Sequence, residues 1–387
     1  MSRRLVSLDV FRGAAVAAMI LVNNPGSWAQ LYGPLAHAPW HGVNFTDLVF
    51  PFFLFAVGNA LALAVAAAPA GESAAFWARV ARRTALIFGI GLLLNASPFV
   101  RWDTAGELVG RDWAQLRTMG VLQRIALCFG AAAVIVRLLP GQVPVIAAAM
   151  LLVYWAACVT WGAPGDAYSL QGWFGTALDR ALLGPAHLYR GEGLPFDPEG
   201  LASTLPAVAQ VLLGWWVGDH LLRHGATAAT HRRLLGLAAA LLALAWIWAE
   251  VMPLNKKIWT SSYVLHTTAL AIAALVALLV LIERPGGAGR LGRGWLPLLQ
   301  AFGRNALFVF VLSGLVPRFL SLLRRQEGTA ADGSTVWTSP LPWIYRQVFA
   351  DLASDPRLGS LAYALANLSL YAVLAWWLQR RRIFVSV

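Results

Sequence analysis

The chain has 387 residues, of which 59% are hydrophobic and only 12% charged. Ordinary soluble domains carry about 25% charged residues, so a soluble globular protein of this length is excluded, because it could not hide so much apolar surface. The net charge of +12 would suit nucleic acid, but the basic residues fall in short clusters between apolar runs, so the partner they imply is the lipid bilayer and not a nucleic acid.

A spanning helix needs about 20 mainly apolar residues. Such runs fall near 8–24, 45–68, 84–98, 119–139, 142–162, 201–222, 234–252, 260–282, 297–316 and 360–379. They predict an all-α, polytopic membrane helix bundle of about ten transmembrane helices, folded as a single domain over 1–387. The third run is short. The first begins like a signal peptide, yet Asp9 and Arg12 interrupt it and no small-residue cleavage site follows. It reads as a retained helix. Cys128 and Cys158 lie inside apolar runs and read as small buried hydrophobes, with no disulfide, zinc or redox motif implied.

Basic clusters set the orientation. Arg3 and Arg4, Arg79, Arg82 and Arg83, Arg137, the 223–233 cluster, Arg284, Arg290 and Arg293, and Arg380 to Arg382 all fall on one side of a ten-helix chain. That side is predicted to be the cytoplasm, with both termini there. The other side receives loops 25–44, 99–118, 163–200, 253–259 and 317–359. Lys256/Lys257 and Arg324/Arg325 oppose the rule. They are either held outside for a purpose or snorkel at the interface. Loop 163–200 is long, aromatic and rich in Gly and Pro, and is a candidate lid on an acceptor site. The stretch 336–353 is broken by Pro and charge and reads as interfacial or re-entrant.

A charge at a helix centre costs about 2.5–3.5 kcal/mol on insertion scales. Asp9 and Arg12 are three residues apart and share a helix face. Asp47 sits at the start of the second run, Gln123 and Arg124 in the fourth, and Arg304 and Asn305 in the ninth. Each has a structural explanation: an ion pair, a helix-dipole charge, a bond to another helix, or snorkelling. Taken together they imply a polar pocket or pathway through the bundle.

Between the first two runs, the loop carries Asn23, His37, Trp40 and His41, with Asp47 just beyond. His37 and His41 are four apart, but Pro39 lies between them and no Cys or carboxylate cluster completes a metal site. No metal is predicted. A histidine titrates near neutral pH and accepts a proton from an attacking amine or hydroxyl. Asp47 is placed to orient its ring, and Asn23 to steady an oxyanion. This set suits acyl transfer. His220, His224 and His231 accompany the basic clusters as surface residues. His266 reads as packing, and His187 as packing or acceptor contact.

These blocks resemble a known family. SLDVFRG at 7–13, MILVNNPG at 19–26 and HAPWHGVNFTDLVFPFFLFAVG at 37–58 are similar to the start of the membrane domain of the heparan-α-glucosaminide N-acetyltransferase family. TMGVLQRIA at 118–126, HLYRGEG and FDPEGLASTLPA within 187–207, PLNKKIWTSSYVL at 253–265, GRNALFVFVLSG at 303–314 and a closing RRRIF follow in order. The resemblance implies transfer of acetyl from cytosolic acetyl-CoA to an amino sugar or glycan amine across the membrane. It assigns His37 as base or acetyl carrier, with Asn23 and Asp47 as its catalytic partners. CoA phosphates need cations or helix N-termini. Arg12 and Arg304, with Asn305 beside them, are the candidates, and Gln123 and Arg124 would meet the pantetheine. Trp40, Asp197, Glu199, Asn255 and Lys256 are the candidate acceptor contacts.

The family's lysosomal members carry an extra N-terminal segment. Without it, this chain reads as bacterial, in the inner membrane, acting on a periplasmic acceptor that need not be heparan, with N- or O-acetylation both open. A homodimer is a weaker implication. The competing reading is a transporter of amino sugars, which internal repeats would favour; none is evident. A membrane O-acyltransferase of another class lacks these ordered blocks.

Overall fold

The computed structural model describes residues 5–67, 73–283, 295–329, 333 and 335–385. Arg3, Arg4, Arg284, Arg290 and Arg293, used above to orient the chain, lie outside them. The helices are α1 Val6–Asn23, α2 Phe45–Ala66, α3 Ser73–Ala96, α4 Val121–Leu138, α5 Val143–Trp161, α6 Phe174–Leu183, α7 Thr204–His224, α8 Ala228–Ala249, α9 Ser261–Ile282, α10 Leu296–Arg304, α11 Ala306–Leu320, α12 Pro340–Ile344 and α13 Pro356–Arg380.

Among the described residues, seven helices are long and apolar enough to cross a membrane: α1, α2, α4, α5, α8, α9 and α13. The pair α10 and α11 qualifies together and makes eight, but the two helices meet at 83°. The protein is therefore a mostly helical, multi-pass membrane protein. The expected count of about ten does not emerge from length and composition. Helix α3 starts earlier than its apolar run and takes in Arg79, Arg82 and Arg83, and α7 ends in the polar turn DHLLRH. The ninth run is not one straight helix. It breaks at Asn305, whose φ of −116° and ψ of 30° leave the helical region.

The helical expectation holds, with a small amount of strand beside it. Two small antiparallel hairpins occur, β1 Val100–Trp102 with β2 Leu108–Gly110, and β3 Arg325–Thr329 with β4 Thr335–Thr338. They are three to five residues long and mostly exposed, too short to show a period-2 apolar pattern. The stretch 336–353 contains the end of β4, α12 and a π-helical turn at Tyr345–Phe349. It forms no span.

The bundle has two distinct ends. At one end the loops are knitted together: Gly26 N–H donates to Ser360 O, Gly42 N–H to Leu254 O, Thr118 N–H to His187 O and Trp102 Nε1 to Leu322 O. At the other end, Ser7 bonds Glu283, Arg137 lies over Phe76 and Arg304 over Phe384. Close helix crossings hold the core between them. A Cβ at Gly303 would lie 2.0 Å from Asp9 O, and one at Gly214 2.3 Å from Phe55 O. Only glycine lets α10 reach α1, and α7 reach α2, this closely.

Candidate active site

The start of α2 builds the first part of the site. Asn44 is its N-cap and Asp47 its third residue, and the two form a capping box in which each side chain meets the other's backbone N–H. This fixes the Asp47 carboxylate, which is 1% exposed. Its Oδ2 accepts from Ala38 N–H and Asn44 N–H, both at 3.0 Å. Its Oδ1 lies 2.6 Å from His37 Nδ1. A carboxylate only accepts, so Nδ1 carries the proton and His37 presents Nε2 as a lone pair. The His37 side chain is 38% exposed.

The 253–260 loop supplies the second part. Asn255 is fully buried; its N–H donates to Thr260 Oγ1, and its Oδ1 accepts from Ile258 N–H. Its Nδ2 lies 3.3 Å from His41 Nδ1. The clamp brings Lys256 Nζ to 3.3 Å from His37 Nε2 and 3.2 Å from Nδ1. With Nδ1 directed at Asp47, Nε2 is the nitrogen able to accept from the ammonium. Burial pushes the Lys256 amine below its ordinary range, while Glu199 and Asp47 pull it back up. Burial likewise lowers the His41 imidazole. Lys257 bonds Pro39 O at 2.9 Å and Glu192 at 2.7 Å, with its ammonium 5.6 Å from the Trp40 ring centre.

Arg117, which sequence reasoning missed, anchors loop 163–200. Its Nε and Nη2 hold Asp197 at 2.8 and 2.6 Å, and Nη2 also meets Glu199 at 2.6 Å. The two carboxylates keep the guanidinium firmly charged, and Arg117 holds Glu199 low despite its burial. Asp197 is fully buried. Both of its oxygens face Arg117, so it offers no carboxylate to a sugar. Arg124 is also fully buried, its Nη2 bonding Ser203 Oγ and, at 3.2 Å, Gly200 O. It lies 5.1 Å from the Trp259 ring centre.

Two cavities follow the same faces of α3, α4 and α11. At the basic end, about 280 Å³ is walled by Arg12, Arg83, Ile87, Phe129, Arg304 and Leu307, among others. Toward the loop-rich end, about 320 Å³ is walled by Asn23, Asn95, Arg117, Gln123, Ser313 and Arg318, among others. The first gathers three guanidinium groups. Arg12 bonds Gly303 O at 2.7 Å and Asp9 at 3.1 Å. The Nε atoms of Arg83 and Arg304 are buried and make no hydrogen bond among the described residues. Gln123 Nε2, in the second cavity, is in the same state. Buried donors without partners suit an anionic or carbonyl-bearing ligand.

The sequence-selected residues thus form separate groups. His37, Asp47, Lys256 and Asn255 meet at the loop-rich end, with Trp40 and Glu199 beside them. Asn23 and Gln123 share a cavity whose walls do not include His37. Arg12 and Arg304 share the arginine cavity. Asn305 beside them is fully buried, and its amide is taken by the C-terminal segment: Nδ2 donates to Ile383 O at 3.3 Å and Oδ1 accepts from Val385 N–H at 2.9 Å. It is unavailable to a phosphate in this arrangement. Arg83 joins the set instead. Its sequence signal was there, a third Arg beside an apolar run, but it is indistinguishable from a topology charge. Among the described residues no cluster of metal-ligating side chains occurs.

The family profile described as heparan-alpha-glucosaminide N-acetyltransferase, catalytic, matches residues 4–247. The chain is 27% identical over 337 residues to the human protein named heparan-alpha-glucosaminide N-acetyltransferase, covering 73% of this chain and 49% of that one. It is 25% identical over 339 residues to the mouse protein of the same name, covering 74% and 50%. The chain spans about half the length of the curated relatives it matches.

Proposed function

Because the chain belongs to the heparan-alpha-glucosaminide N-acetyltransferase catalytic family, we propose that it transfers acetyl from cytosolic acetyl-CoA to an amino sugar or glycan amine on the other side of the membrane. In this reading the basic end faces the cytoplasm of a bacterial inner membrane, with both termini there and ten crossings once α3, α7 and the bent pair are included.

The observation that supports the reading is that the two cavities lie along the same faces of α3, α4 and α11, one toward the basic end and one toward the loop-rich end that holds His37. Along α3 the walls run from Arg83 to Asn95, about 18 Å of helix at 1.5 Å per residue. A ligand reaching through both cavities would need about that length, which suits an extended pantetheine arm. Arg12, Arg83 and Arg304 would take the CoA phosphates as charge-assisted pairs. Gln123 and Asn23 would donate to the amide and acetyl carbonyls.

His37 acts at the acceptor. The amine nitrogen attacks the thioester carbonyl carbon while its proton passes to His37 Nε2. The resulting oxyanion collapses, the C–S bond breaks, and His37 returns the proton to the CoA sulfur. The products are the N-acetyl sugar and CoA thiol. Asp47 stabilises the imidazolium between the two transfers. In the carrier variant, Nε2 itself attacks the thioester carbonyl, the C–S bond breaks and CoA leaves as the thiolate; the amine then attacks the acetyl-imidazolium, its C–N bond to Nε2 breaks to restore His37, and the amine proton neutralises the thiolate. Lys256, adjacent to Nε2, would have to shift as the acceptor enters.

The test is direct. Purified protein incubated with labelled acetyl-CoA and glucosamine should release N-acetylglucosamine and CoA, and His37→Ala should reduce turnover to about 1% or less. Undiminished transfer by His37→Ala would remove His37 from the chemistry. Sugar flux into proteoliposomes without acetyl-CoA binding would favour a transporter.

A further inference from the structure

An apolar groove of about 350 Å³ lies between α5 and α8, floored by α7 and α9. Ala148 and Leu152 line one wall, Leu244 and Trp248 the other, and Trp216 and Ile272 the floor. The wall helices are the least buried of the qualifying spans, so the groove opens sideways. Its volume is in the range of ligand pockets, about 300–1,000 Å³.

Its outer end leads toward the catalytic loop. Trp248 meets the Trp155 ring edge-on at 5.6 Å. Trp155 Nε1 donates to Tyr168 OH at 3.2 Å, and Tyr168 O accepts from Trp40 Nε1 at 2.8 Å. Tyr168, Trp40, His41 and Asp166 line a second, open cleft of about 500 Å³. Trp40 and His41 belong to the same short loop as His37. The half-buried Trp155 therefore stands between a sideways apolar groove and an open cleft lined in part by the loop that carries the proposed base.

We propose that the acceptor is a lipid-linked amino sugar, its hydrocarbon tail in the α5/α8 groove and its sugar in the Trp40/Tyr168 cleft. The proposal rests on the acetyl transfer described above. A soluble sugar has no use for the groove. An ordinary bilayer lipid fits it equally well, but gains nothing from a path to the His37 loop. A long tail partitions into the bilayer, so it would hold the acceptor in the membrane plane beside the lateral opening of the groove.

The experiment uses the full chain in nanodiscs with acetyl-CoA and two acceptors, glucosamine and a hexadecyl glucosaminide. The lipid-tailed acceptor should show at least a tenfold higher kcat/KM. Ala148→Trp, which fills the groove from an exposed position, should bring the ratio of the two toward one. Leu244→Trp serves the same purpose from the opposite wall if the first variant fails to fold. A diazirine-bearing hexadecyl glucosaminide should label α5 and α8, and excess hexadecyl glucosaminide should compete more strongly than phosphatidylethanolamine. Equal kcat/KM for both acceptors overturns the proposal while leaving acetyl transfer intact. Equal competition by phosphatidylethanolamine assigns the groove to bilayer lipid and overturns it too. A fall in oligomer mass in Ala148→Trp, with no labelling of the wild type, assigns it to a second copy. If neither acceptor is acetylated, the acetyltransferase reading itself falls, and labelling alone judges the groove.

Discussion

His37 Nδ1 and Asp47 Oδ1 stand 2.6 Å apart, while the other oxygen of Asp47 accepts two backbone N–H groups. The second fact makes the first directional. In Asp47→Asn the amide oxygen must take the place of Oδ2, because Ala38 and Asn44 both donate there. The NH₂ group then faces His37 and forces Nδ1 to accept, which moves the ring proton to Nε2 and removes the base. Asp47→Asn should lower kcat by about 10²-fold or more with the KM for acetyl-CoA little changed. A kcat within a few-fold of wild type in steady-state assays would show that the tautomer is irrelevant.

Arg83 tests the donor end. Its Nε is buried in a cavity shared with Arg12 and Arg304 and makes no hydrogen bond among the described residues. A hydrogen bond to a charged group is worth about 1.5–3 kcal/mol. Arg83→Gln should therefore raise the KM for acetyl-CoA by about ten- to a hundredfold. Acetyl-pantetheine, which lacks the nucleotide phosphates, should respond much less. Equal effects on both donors would mean that Arg83 supports the helix packing and not the phosphates.

Asp179 on α6 gives a pH signature in stability. It is 1% exposed; burial raises its carboxyl from 3.8 to about 6, although Ala202 N–H donates to it. Between those values the folded chain holds a proton that the unfolded chain has lost. Stability from this group is thus present below pH ~4 and declines as pH rises through about 6, by up to about 3 kcal/mol. Asp179→Asn should raise the Tm at pH 8 and have much less effect at pH 4. Thermal scans of the detergent-solubilised protein at the two pH values decide it, and an equal shift at both would refute the linkage.

The parts of this architecture legible in sequence are those written locally. The Asn44–Asp47 spacing is a helix start, His37 is ten residues upstream, and the apolar runs locate the main helices. Long-range pairings are invisible by the same logic. Arg117 meets Asp197 and Glu199 across some eighty residues, so the two carboxylates selected as sugar contacts also hold a loop. Arg83 and Arg82 are neighbours of one type, and only the packed bundle shows which lines a cavity. The break at Asn305 has no proline to announce it. The chain turns there with the Asn305 amide bound to Ile383 and Val385, a partnership that no window of local sequence contains.

Whether His37 carries the acetyl group or only a proton can be decided at Nε2. The Asp47 contact fixes the reactive nitrogen in either case, so geometry favours neither, and the difference lies in time. A carrier must react before the acceptor arrives. Incubated with labelled acetyl-CoA alone, the wild type would then release about one equivalent of CoA in a burst and hold label that hydroxylamine removes, since acetyl-imidazole is readily cleaved by that nucleophile. A base needs the amine present and gives neither burst nor protein-bound label. Lys256 sharpens the comparison, because its Nζ lies 3.3 Å from Nε2 and is itself an amine that could intercept a carried acetyl group. An acetyl group held at Nε2 would lie against the Lys256 amine before its acceptor arrived, so the base outcome is expected. Acceptor-independent label on the peptide containing His37, seen by mass spectrometry and absent in His37→Ala, would reverse that assignment. Stable label on Lys256 instead would mark the acetyl group as having reached this end of the bundle without its acceptor.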